Sequence, residues 1–225
     1  MPKRSKSGKL KFALLIFTYH LKLDTTLSKD FFMQWYILLA HPNPASFNHA
    51  VCREFVKGLE TAGAANDVND LYTSGFNPLM AGDDFNQFIE GEKLPPDVLS
   101  EQARVEKADG LAMIYPVWWN EAPAILKGWI DRVLSKGWAY DVTPDGRFVT
   151  LLRLKRVIIF NTADNPAELL EKTGLNNAAR LTKDAGTFGF CGVKTVEHHI
   201  LGNVGSDEAG RLAFLEKALE IGRTG

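Results

Sequence analysis

From residue 36 onward, short unbroken apolar runs alternate with stretches whose apolar residues recur every three or four positions. The runs "YILLA" (36–40), "GLAMIY" (110–115) and "KRVIIF" (155–160) predict strands covered on both faces, where no polar alternation is required. Segments 66–72 and 193–200 predict two further strands. Between them, Val51, Phe55, Leu59 and Ala62 keep helical spacing, and Gly63 stands where a helix stops. Ile125, Leu126, Trp129, Ile130, Val133 and Leu134 mark a strongly amphipathic helix with Pro123 in its first turn, where a missing N–H costs nothing. Helices are also expected over 98–108, 175–186 and 206–221, the last with Ser206 as N-cap. Residues 73–96 are polar and too long for a plain connection, so they are expected to fold over something. Strands alternating with helices predict an α/β protein with a parallel sheet and helices on both faces. In such folds ligands bind beyond the carboxyl ends of the strands, near the point where strand order reverses.

Three loops fall at that edge. The first, "HPNPASFN" (41–48), carries more hydrogen-bonding capacity than a helix cap needs and almost no charge. Ser46, Asn48 and the free N–H groups of a starting helix suit a phosphate, although the same side chains could simply cap the helix. The second loop sets Trp118 and Trp119 between Pro116 and Pro123; the pair could cover the core or wall a flat heterocycle. In the third, Asn161 and Thr162 could bond the polar rim of such a ring. A phosphate at one loop and an aromatic plane at the others describe a flavin nucleotide better than a sugar phosphate. No G-x-G-x-x-G and no G-x-x-x-x-G-K-[ST] occurs, which disfavours dinucleotide and triphosphate loops of those kinds.

Charge narrows the partners. A formal net charge of −1 argues against a dedicated nucleic-acid binder. Cys52 and Cys191 form no C-x-x-C, read as buried side chains, and suit a reducing, cytoplasmic setting. Residues 1–32 stand apart, with seven Lys/Arg against two Asp. Their apolar run 12–19 lacks a small-residue cleavage site and falls well short of the ~20 residues a bilayer span takes. We expect a loosely held extension over 1–32 and one flavin-binding domain over 33–225.

The strings "HPNPASFN", "YPVWWNEAPAILKGWIDRV" and "KGWAYDVTPDG" resemble motifs of the flavodoxin-like NAD(P)H:quinone oxidoreductase family, which includes DT-diaphorase and ancillary oxidoreductases of bacterial potassium-efflux systems. The likeness runs from about Gln34 to Ala218. It implies a doubly wound, parallel five-stranded sheet and a bound flavin, FAD or alternatively FMN. It implies that His41, Ser46, Phe47 and Asn48 hold the phosphate and ribityl side. Pro116, Val117, Trp118 and Trp119 would line the isoalloxazine, with Asn161 and Thr162 at its pyrimidine edge. The implied reaction is hydride transfer from NAD(P)H through the flavin to a quinone or similar flat acceptor. Trp118, Trp119, Asn161 and Thr162 would act as flavin-edge contacts, with no obligatory side-chain acid or base. A homodimer with flavin sites at the interface is also implied; a one-electron carrier and a regulatory subunit of a membrane transport system are the alternatives. The third loop departs from the family: Ala163 and Asp164 occupy a Gly pair's place, and the usual Tyr and His do not follow.

Overall fold

The computed structural model describes residues 33–89 and 91–224, so the extension expected over 1–32 lies outside the described residues. The main sheet contains β1 (Gln34–Leu39), β2 (Ala65–Asp70), β3 (Gly110–Pro116), β6 (Arg156–Thr162) and β7 (Val196–Leu201). Its order is β2-β1-β3-β6-β7, and every neighbouring pair is parallel. Strand order therefore reverses between β1 and β3, and the three chemically unusual loops leave β1, β3 and β6, three adjacent strands. β1 and β3 are almost wholly buried, as their unbroken apolar sequences require.

Helices α1 (Phe47–Thr61) and α6 (Glu208–Arg223) cover one face around Trp35, Ile37, Phe55, Phe160 and Phe214. Helices α2 (Pro96–Glu106) and α3 (Ala124–Val133) cover the other around Tyr36, Leu38, Met113 and Trp129. The cap of α6 is Asp207, which accepts from the Gly210 amide; the expected cap, Ser206, stands one residue too early. Residues 175–186 do form helix, first as α5 (Leu175–Arg180), preceded by the short α4 (Ala167–Lys172). The chain then widens into a π-helical stretch, Leu181–Gly189.

The long polar stretch does fold over something. Its 3₁₀ turn, Gly82–Phe88, buries Asp84 against Arg132 of α3 at 2.9 Å. The same guanidinium reaches Asp97 of α2 at 2.6 Å and the Asn77 carbonyl at 2.7 Å. An antiparallel ribbon of β4 (Tyr140–Val142) and β5 (Phe148–Thr150) turns through "TPDG" and was not legible as strand. Its Tyr140 and Phe148 pack with Phe190 just beyond the π-helical stretch. Among the described residues no helix is long and apolar enough to cross a membrane.

Candidate functional site

The loop after β1 is wound on its own side chains. The Asn43 amide donates to His41 Nδ1 at 3.0 Å, and Asn43 Oδ1 accepts from the Ala45 amide at 2.9 Å. Ser46 then takes extended backbone angles and caps α1, its hydroxyl accepting from the His49 amide. Behind the cap, among the described residues, the Phe47 and Asn48 N–H groups have no partner, the ordinary condition of a helix start. These donors and the positive end of the helix dipole face the sheet's carboxyl edge with no acidic residue in the first turn.

Above this helix start lies a groove of about 290 Å³, lined by His41, Phe47, Asn48, Pro116, Val117, Trp118 and Thr162, together with Asp164 and Val204. Seven residues expected from sequence thus meet in one concavity. Thr162 donates its hydroxyl to Asn48 Oδ1 at 3.2 Å, while Asn48 Nδ2 is buried without any partner. A buried, unpaired amide donor costs free energy unless something satisfies it. Burial holds the His41 imidazole below its usual pKa, so it stays neutral in the groove.

Beyond Pro116 the chain makes a tight turn in which Trp118 and Glu121 exchange both backbone hydrogen bonds, at 2.9 and 3.0 Å. The central residues, Trp119 (φ 51°) and Asn120 (φ 62°), are left-handed. Asn tolerates that region; for a Trp it is a strained conformation worth roughly 1–2 kcal/mol. Trp119 is also 98% exposed. The Trp119 and Asn120 amides have no hydrogen-bond partner among the described residues. A strained, fully exposed indole beside free donors is the kind of backbone cost found at functional sites.

Not every expected residue faces the groove. Strand alternation sends Thr162 to the groove and Asn161 to the opposite face of the sheet, into a small open pocket of about 30 Å³ lined also by Leu170, Leu175 and Lys183. There the Asn161 amide donates to His198 Nε2 at 2.9 Å, so His198 carries its proton on Nδ1 and donates it to Asp184 at 2.9 Å. Asn161 Oδ1 has no partner. Lys183 enters the same cavity and pairs with Glu121. Burial pushes the Glu121 carboxyl up, but the Lys183 ammonium more than offsets this and holds it below its ordinary value. Ser46 is not among the groove's lining residues, and its hydroxyl is engaged by its own helix. Trp119 stands at the turn's tip, away from the groove's lining. Asp164, noted in the sequence only as a departure at the third loop, and Val204, which the sequence did not flag, also line the groove.

Comparison with known proteins agrees with this architecture. Residues 33–221 match the family described as having a flavodoxin-like fold. A ribosyldihydronicotinamide dehydrogenase [quinone] of Rattus norvegicus is 34% identical over 183 residues, covering 73% of this chain and 79% of the relative. An uncharacterized NAD(P)H oxidoreductase of Haemophilus influenzae is 32% identical over 190 residues, covering 84% of this chain and 93% of the relative. Among solved structures, an NAD(P)H:quinone oxidoreductase from Methanothermobacter marburgensis superposes with a TM-score of 0.80 at 36% identity, over 85% of this chain and 98% of that one.

Proposed function

The chain belongs to the family with the flavodoxin-like fold, and on that premise we propose that it is an NAD(P)H:quinone oxidoreductase working through a bound flavin. The observation that carries the reading is the groove at the β1–β3 reversal, where the unpartnered Asn48 amide and the uncharged start of α1 meet an aromatic wall. These residues fit a flavin nucleotide. Free N–H groups of Phe47 and Asn48, with Ser46 beside them, suit a phosphate, and the Asn48 amide suits a polyol or ring oxygen. Pro116, Val117 and Trp118 supply flat and rigid contact area. FAD is the proposed form of the cofactor and FMN the alternative.

When bound, the flavin supplies the two-electron chemistry, accepting hydride from NAD(P)H and delivering it to a quinone-like acceptor. The protein's share is positioning and electrostatics. The Trp119 and Asn120 amides are available as donors to negative charge that develops at the ring edge. Trp119, held out in water, offers a face on which a nicotinamide or quinone can stack. His41 contributes as a neutral ring. No side-chain acid or base is required of the groove. The same exposed tryptophans support a homodimer in which a second copy covers the loop edge, and NAD(P)H as reductant supports a cytoplasmic place of work.

The test is spectroscopic and kinetic. Purified protein should be yellow, release FAD on denaturation, and oxidise NADPH rapidly when menadione is added. Released FMN would change the cofactor and leave the enzyme reading intact. Protein that stays colourless after incubation with both flavins would overturn the reading, and reduction that needs a protein partner would make it a carrier.

A further inference from the structure

Ser46 is held by a chain of hydrogen bonds that reaches across the sheet's edge. Its Oγ lies 2.8 Å from His49 Nδ1, and His49 Nε2 lies 3.3 Å from Asp70 Oδ2 at the end of β2. The imidazole side chain is 13% exposed. Asp70 is locked in place by the Thr73 hydroxyl at 2.7 Å and the Tyr72 amide at 3.1 Å. Among the described residues, the titratable and charged groups near His49 are His41 just after β1, ring centroids 6.4 Å apart, and Asp70 at the end of β2, with Cys52 and Arg53 three and four residues further along α1.

We propose that the Asp70–His49 pair controls whether the Ser46 hydroxyl can donate to an anion at the start of α1, so that binding of a phosphate-bearing cofactor takes up a proton at His49. The proposal rests on the reading of this turn as the cofactor's phosphate site. Asp70 can only accept, so a neutral imidazole turns its single N–H toward Asp70 from Nε2. Nδ1 is then a bare acceptor, and the Ser46 proton is spent on it. On protonation, both ring nitrogens donate, Nε2 to Asp70 and Nδ1 to Ser46 Oγ. The hydroxyl proton is thereby released to point at an anion, where a donor to a charged group is worth most. The neighbouring Asn48 amide, 97% buried and unpartnered on the same helix turn, marks the side on which a ligand is awaited. Asp70 is held below the ordinary carboxylate range: burial opposes this, but the Thr73 hydroxyl, His49 and backbone donors prevail, so it remains an anion. His49 and Asp70 are positioning residues in this scheme; neither touches the ligand.

The experiment is a titration of the full chain, stripped of flavin, with FAD, FMN and riboflavin between about pH 5.5 and 8.5, the interval over which imidazoles change charge. Wild type, Ser46→Ala, His49→Asn and the double variant are compared, and thermal unfolding checks that each is folded. FAD, whose pyrophosphate does not titrate in this interval, should bind wild type about tenfold more tightly at the acid end, relative to riboflavin. That increment should vanish in either single variant and lose nothing more in the double. A phosphate preference whose pH profile is the same in wild type and His49→Asn would overturn the relay and leave the phosphate site standing. Equal affinities for all three ligands in wild type would remove the phosphate site itself.

Discussion

At the scale of single residues, the titrating groups of this fold set its response to acid. His199 on β7 stacks on Phe160 at 5.3 Å, and its buried Nε2 makes no hydrogen bond, Glu197 Oε2 standing 3.7 Å away. Burial, with Lys217 nearby, lowers its pKa to about 4 from the usual 6.5. The folded protein thus holds this imidazole neutral where the unfolded chain takes up a proton, and the sign follows directly. Its contribution is fully present above pH 6.5 and is lost as pH falls through the folded value near 4. The loss should approach about 3 kcal/mol, each pKa unit being worth 1.36 kcal/mol. Denaturant titrations at intervals from pH 7 to 4 should show this slope in wild type and a flatter one in His199→Gln. Parallel profiles would show that other groups carry it. Asp67 and Asp97, held below the carboxylate range by Arg104 and Arg132, act at lower pH in the same sense.

At the scale of elements, the placement of α1 decides the placement of the Ser46 turn, and α6 decides the placement of α1. The two helices cross so closely that a Cβ on Gly222 would meet the Phe55 carbonyl oxygen at 2.3 Å and the Gly58 Cα at 2.9 Å. No side chain yields in that contact; backbone meets backbone. Gly222→Ala should therefore push the helices apart and cost about 1–3 kcal/mol, the range for overpacking. Gly82, whose Cβ would meet open space, should accept alanine within about 0.5 kcal/mol. Chemical denaturation of the two variants checks both. Because the Ser46 end of α1 moves with the crossing, Gly222→Ala should also weaken flavin binding although it touches no groove residue. A variant that loses stability but keeps its affinity would show that the turn is positioned by its own hydrogen bonds.

At the scale of the molecule, residues 33–225 form a compact unit by themselves. Every groove residue and both apolar clusters fall within it. A chain starting at Met33 should retain the flavin, the unfolding midpoint and the dimer of the full chain. Light scattering of the two at micromolar concentration, with flavin bound, tests this. Loss of flavin or of several degrees in midpoint would make residues 1–32 structural, and monomers in both would remove the dimer. The dimer's support comes from Trp118 and Trp119, which are 40% and 98% exposed. Trp138 is partly buried and donates to Glu106 at 2.7 Å, so it adds nothing to that surface.

What could be read from the sequence was what local pattern encodes. The apolar runs of β1, β3 and β6 needed no context, since a strand buried on both faces must be apolar throughout. The helical spacing of α1 and α3 was equally plain, and the chemically unusual loops after β1, β3 and β6 were legible as neighbours at one sheet edge. The ribbon β4–β5 escaped because three-residue strands carry too little pattern, and only Tyr140, Phe148 and Phe190 meeting in space stabilise it. Side-chain direction at a strand's end also lay beyond local reading. Asn161 and Thr162 look equivalent as letters, yet the pleat sends one to His198 and the other to Asn48. Ser46 and His49 are three residues apart, but their partner Asp70 arrives only because β2 pairs with β1 in the register Leu39↔Asp70. Burial and periodicity are properties of a segment and are written into it; strand order, register and facing partners belong to the assembled sheet, and they alone decided which polar groups share the site.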